Sequence, residues 1–181
     1  MAFCIAFGML FSNLAVSQET PFKNIADINL NGAKRTDFTK GKNGKIGKSK
    51  FSSINRVKPD VAELYEIDGM LLFLNGGSDE LEKNHLEKLE SGFKEMLVWK
   101  QGDPEISKIE NFGQYRVLVL DYEFKNRDVW RYSFYAVSKS NNKIIVGQLE
   151  YAPADKAKAS ETIKRFIKGI KFKTYDPNGR V

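Results

Sequence analysis

Runs rich in apolar, β-branched and aromatic residues through 115–124, 129–137 and 143–151 predict three β-strands joined by short polar loops. Two more strands are predicted at 61–67 and 70–74, where Asp68-Gly69 supplies a two-residue hairpin turn. Asn75-Gly76-Gly77 is expected to end the second of them. After Gly102-Asp103-Pro104 come residues 105–110 and a turn at Asn111-Phe112-Gly113, ahead of the three long strands. Two segments follow the helical period instead. Between Asp79 and Leu97, the residues Leu81, Leu86, Leu89, Phe93, Met96 and Leu97 form one apolar stripe, and Asp79 with Glu82 has the spacing of a capping box. After Pro153 and Asp155, the residues Ala159, Ile163, Phe166, Ile167 and Ile170 share a face. Gly169 is placed to cap that helix, with Lys168, Lys171 and Lys173 near its negative end and 170–172 as a short last strand. This order predicts an antiparallel α+β domain.

The register of the three long strands follows from which residues share a face. Leu118, Leu120, Tyr122 and Phe124 form one set; Trp130, Tyr132, Phe134 and Ala136 a second; Ile145, Gly147, Leu149 and Tyr151 a third. If all three face one core, the first loop must hold an odd number of residues, most simply 125–127. The second loop then holds four, so that Ser138 opposes Lys143 and Phe134 lies over Gly147. The other face, with Tyr115, Val117, Val119, Tyr135, Val137, Ile144 and Val146, is apolar too. A sheet covered on both faces by helices is expected, that is, a three-layer α/β/α sandwich.

The same register sets Arg131 between Asp121 and Glu150, beside Ser133 and Gln148. One cation between two carboxylates, next to an apolar half-face, is the chain's best candidate for a ligand or partner site, with Arg131 as the anchor for a carboxylate. Such a row is also an ordinary surface ion network, worth a few tenths of a kcal/mol per pair. Two carboxylates sharing a cation both stay ionised, which disfavours a glycosidase-type acid/base pair. The row Trp130, Tyr132, Phe134 is expected to be core.

Charge is unevenly spread. Between Lys34 and Lys58 stand nine basic residues (Lys34, Arg35, Lys40, Lys42, Lys45, Lys48, Lys50, Arg56, Lys58) and one acid, Asp37. That segment carries +8 of a total of +6, leaving −2 for the remainder. Asn43-Gly44 predicts a turn between strands at 36–42 and 45–51, a polar twisted hairpin anchored by Phe38, Ile46 and Phe51. Lys40, Lys42, Lys45, Lys48 and Lys50 could contact lipopolysaccharide, anionic lipid or an acidic protein. The alternative is an edge hairpin whose lysines only block strand-to-strand aggregation. Gly47-Lys48-Ser49 is not a phosphate-binding loop, since that motif needs glycine where Lys42 stands and a helix where Lys58-Pro59 follows.

Residues 1–17 contain no charge. Their apolar run from Ala2 to Phe11 has the length of a signal-peptide core and is too short to span a bilayer. Ala15-Val16-Ser17 suits cleavage before Gln18; no Lys or Arg precedes the run, so the true start is expected upstream. Cleavage removes Cys4, the single cysteine among 181 residues, and leaves no thiol, which suits an oxidising envelope compartment. A nucleic-acid partner is not expected, and neither is a cofactor. One cysteine and one histidine exclude a disulfide framework, a cysteine-rich zinc site and a protein-held iron–sulfur cluster. His85 has no nucleophile or orienting carboxylate placed near it by the sequence, and is expected to be a boundary residue with a satisfied hydrogen bond.

From about Ile54 to Lys173 the chain resembles the Mog1/PsbP-like fold. The resemblance is carried by the hairpins from Gly113-Gln114-Tyr115-Arg116 to Leu149-Glu150-Tyr151, by Ala159-Ser160-Glu161-Thr162-Ile163-Lys164-Arg165-Phe166-Ile167, and by Ile170-Lys171-Phe172. It implies a small α/β/α sandwich with an antiparallel sheet, often exported, serving mostly as a binding or assembly partner rather than an enzyme. The expected organisation is a signal peptide (1–17), a basic arm (18–53), one domain (54–174) and a tail (175–181). The expected function is a non-catalytic binding or assembly module, periplasmic or extracellular in a Gram-negative bacterium. The alternative is a carrier of a small carboxylate-bearing or amphiphilic ligand held by Arg131.

Overall fold

The computed structural model describes residues 18–20, 22–36, 45–46, 49–50, 63–78, 81–100, 105–124 and 129–174. The strands are β1 (Gln18–Thr20), β2 (Ala26–Asp27), β3 (Lys34–Thr36), β4 (Lys45–Ile46), β5 (Ser49–Lys50), β6 (Glu63–Ile67), β7 (Met70–Ser78), β8 (Ile106–Phe112), β9 (Tyr115–Phe124), β10 (Val129–Ser138), β11 (Lys143–Tyr151) and β12 (Lys171–Phe172). The helices are α1 (His85–Lys100) and α2 (Lys156–Lys168). The protein is a mixed α+β fold built on one antiparallel sheet, ordered β3-β6-β7-β11-β10-β9-β8. Strand β1 continues the β6 side of β7: β6 pairs as far as Glu63 opposite Leu74, and β1 pairs Thr20 with Gly76 and Gln18 with Ser78. Separately, β12 pairs with β2, and β4 with β5.

Alternation along the strands sends two apolar sets to opposite faces. Val117, Val119, Phe134, Ala136, Ile145 and Leu149 pack with Ala159, Ile163, Phe166 and Ile167 of α2. Leu118, Leu120, Tyr135 and Ile144 pack with Leu86, Leu89 and Phe93 of α1. Helix α1 is also fixed by polar contacts: Ser107 Oγ donates to Glu90 at 2.6 Å, and Arg116 pairs with Glu87. On the other face the Tyr115 hydroxyl donates to the Ile167 carbonyl at 2.6 Å, closing the end of α2.

Several local expectations hold. Asp68 and Gly69 turn with φ of 50° and 79°, the positive pair a tight hairpin requires, and Ile67 opposes Met70. Phe134 opposes Gly147, as the four-residue loop demands. Gly169 caps α2; its backbone approaches Asn29 so closely that an added Cβ would lie 3.2 Å from the Asn29 Cβ.

Four expectations are corrected. Gly76 and Gly77 do not end β7; strands pair on both sides of them, β11 through Ile145 and Ile144, β1 through Thr20 and Glu19. Helix α1 starts at His85 rather than Asp79: the Lys88 amide donates to the Asn84 carbonyl, which puts Asn84, a favoured capping residue, at the N-cap. In the basic segment Lys45 opposes Lys50 and Ile46 opposes Ser49, so this pair brackets Gly47-Lys48 and not Asn43-Gly44. Thr36, expected to open that hairpin, pairs with Leu64 instead. The segment has a glycine on each side of 45–46 and no apolar alternation in sequence to choose one turn over the other. The fourth correction concerns β9 and β10. Val129 opposes Phe124, so four residues separate them, not three, and every partner shifts face.

Candidate functional site

The shift in β9 splits the predicted row. Arg131 and Glu150 oppose each other as expected, and so do Ser133 and Gln148. Asp121 does not join them: it opposes Tyr132 on the α2 side of the sheet, and Tyr122 takes its place across from Arg131. Both alternating sets of β9 are apolar, so period alone could not choose between them. The observed choice sets Val119 beside Phe134 and leaves the larger Leu118 and Leu120 for the α1 side, opposite Tyr135 and Ser133. Phe134 already fills the space over Gly147, and valine takes less of what remains.

On the α1 side the result is a buried polar cluster. Arg131 and Glu150 form an ion pair with side chains only 5% and 1% exposed. Tyr122 and Ser133 bring their hydroxyl oxygens to 3.5 Å. Burial works against the guanidinium's charge, but Tyr122 and Glu150 outweigh it and hold the Arg131 pKa above its ordinary value. Tyr135, beside Gln148, has its ionisation pushed up mainly by burial. Tyr122 and Tyr135 were not among the candidates from sequence. Their signal was a tyrosine at an inward position of an apolar strand, where a buried hydroxyl costs free energy unless it is hydrogen-bonded.

Asp121 has a different environment. It is wholly buried, and its Oδ1 accepts from the Tyr151 hydroxyl at 2.6 Å. Its Oδ2 has no hydrogen-bond partner among the described residues. Lys156, at the start of α2, pairs with Glu105 and places its Nζ 4.4 Å from the centre of the Trp130 ring. Burial raises the Asp121 pKa to about 6; Tyr151 and Lys156 pull it down less than burial lifts it, and Glu105 adds to the rise. Between about 3.8 and about 6 the folded chain therefore keeps a proton the unfolded chain has lost, so stability falls as pH rises through that window. The shift corresponds to about 3 kcal/mol. Asp121→Asn is expected to stabilise the protein by up to that amount at neutral pH and to flatten the slope, read as Tm against pH. An unchanged profile would show that Asp121 ionises as an ordinary solvated carboxyl.

The basic candidates are placed only in part. Lys45 and Lys50 oppose each other in β4 and β5, and Lys40, Lys42 and Lys48 lie outside the described residues. His85 is the first residue of α1 and is half-buried. Among the described residues no group of three or more His, Cys, Asp or Glu could hold a metal ion, and no helix is long and apolar enough to cross a membrane. The chain matches no protein-family model and no curated protein.

Proposed function

We propose that the protein is an exported, non-catalytic binding or assembly module of the bacterial envelope, which contacts an anionic partner or surface through its basic segment. The observation that carries this reading is the separation of charge: +8 between Lys34 and Lys58 against −2 elsewhere, on a segment that begins at an edge of the sheet. Lys34 and Arg35, in the outermost strand β3, are exposed. Electrostatic contact of this kind is long-ranged and strengthens as salt is lowered. Export is supported by the uncharged apolar run before Gln18, the residue at which β1 begins.

The two apolar clusters on opposite faces of one antiparallel sheet support a three-layer α/β/α sandwich of the Mog1/PsbP-like kind. A ligand carrier anchored by Arg131 is the weaker reading, because Glu150 already matches the guanidinium charge. Reversing Lys42, Lys45 and Lys48 to glutamate together is expected to abolish co-sedimentation with vesicles rich in anionic lipid and cross-linking to envelope proteins in the host, at unchanged Tm. Retention of both contacts would remove the basic segment from the function. Loss of the cross-links alone would make the partner a protein.

A further inference from the structure

We propose that β8 is a self-complementary edge through which two copies of this chain join their sheets. Strand β8 ends the sheet and pairs, among the described residues, with β9 alone. Its side chains alternate: Ile106, Lys108, Glu110 and Phe112 share the face of Val117 and Val119, while Ser107, Ile109 and Asn111 share the face of Leu118 and Leu120. Lys108 and Glu110 are half-exposed and pair with each other along the strand. Ile106 and Phe112 sit at the margin of one apolar cluster and Ile109 at the margin of the other, each only partly covered.

Two identical edges that meet antiparallel are related by a two-fold axis perpendicular to the sheet. Directly opposed residues must then point to the same face, so the axis has to pass through a residue and not between two. Centring it on Lys108 or on Glu110 sets like charges opposite each other. Centring it on Ile109 sets Lys108 against Glu110 of the second copy, twice. That register also matches Ile106 with Phe112 and Ser107 with Asn111, and it engages all seven residues of the strand. A lone lysine on an edge strand guards against pairing in any register. A lysine followed two residues later by glutamate lifts that guard for one register only. The charge pattern thus selects a single antiparallel partner, a second copy of the same strand.

Sedimentation velocity of the purified protein over a wide concentration range tests this. The wild type is expected to form a dimer. Lys108→Glu and Glu110→Lys, each alone, set two like-charge pairs into the interface and are expected to weaken the dimer about tenfold or more. The double variant carrying both changes restores opposite charges and is expected to dimerise like the wild type. Circular dichroism of the single variants is expected to match the wild type, since both side chains lie at the surface. A wild type that stays monomeric at every concentration would overturn the proposal. So would a dimer that neither single reversal weakens, or one that the double exchange does not restore.

Discussion

Replacing Arg131 by methionine is expected to lower the stability of the protein by about 3–5 kcal/mol. The side chain is 5% exposed and its partner Glu150 is 1% exposed, so the variant leaves a carboxylate inside the fold with its cation gone. Such a charge must either stay ionised without solvent or take up a proton, and both cost free energy. In a chain of 181 residues the loss corresponds to a fall in Tm of about 6–20 °C. Methionine keeps much of the length of the arginine stem, which leaves the charge as the principal change. Removing both charges, Arg131→Met with Glu150→Leu, is expected to recover most of the loss, because a buried pair contributes little net stability once both desolvation costs are gone. If the single variant costs under about 1 kcal/mol, the pair behaves as a solvated surface contact. Glu150 would then not hold the guanidinium, and a carboxylate ligand could compete for it. The same measurement therefore bears on fold and on function.

Each hairpin was legible to the extent that its turn or its side-chain volumes chose one register. Asp68-Gly69 fixes β6 against β7 because few residues accept two positive φ angles in succession. Glycine at 147 fixes β10 against β11 because Phe134 needs the space. Between β9 and β10 no such constraint existed: Val117 and Val119 on one face, Leu118 and Leu120 on the other, satisfy a core equally well by pattern. The choice rests on volumes summed across three strands, which is tertiary information. Asp121 was misplaced for that reason alone. Its surroundings on the other face, with Tyr151 and Lys156 close to it, could not be anticipated from neighbours in sequence. The energetic weight of Arg131 was hidden differently. The pairing with Glu150 was legible, but an Arg–Glu row has the same pattern at a wet surface and in a dry interior. Only burial raises the cost of removing one partner from a few tenths of a kcal/mol to about 3–5 kcal/mol.

Gly147→Ala is expected to cost about 3 kcal/mol, and Gly147→Val more. A Cβ built on Gly147 would lie 2.0 Å from Cε1 and 2.2 Å from Cζ of Phe134, far inside van der Waals contact. Phe134 cannot swing away, because it is wholly buried in the cluster that also holds Phe166 and Ile163 of α2. Relief must come from separating β10 from β11 or from lifting α2, and either one opens a packed core. Alanine has no backbone penalty at this position, since Gly147 does not sit at positive φ, and it favours the strand slightly over glycine. The cost is therefore steric, and shortening the ring should expose it. Phe134→Ala alone is expected to cost about 3–5 kcal/mol as a cavity. The double variant Phe134→Ala with Gly147→Ala should cost clearly less than the two losses added, because the second methyl group enters space the first change vacated. Additive losses in urea unfolding would mean that the strain lies elsewhere in the strand pair, and that the contact between ring and backbone does not set the register of β10 against β11.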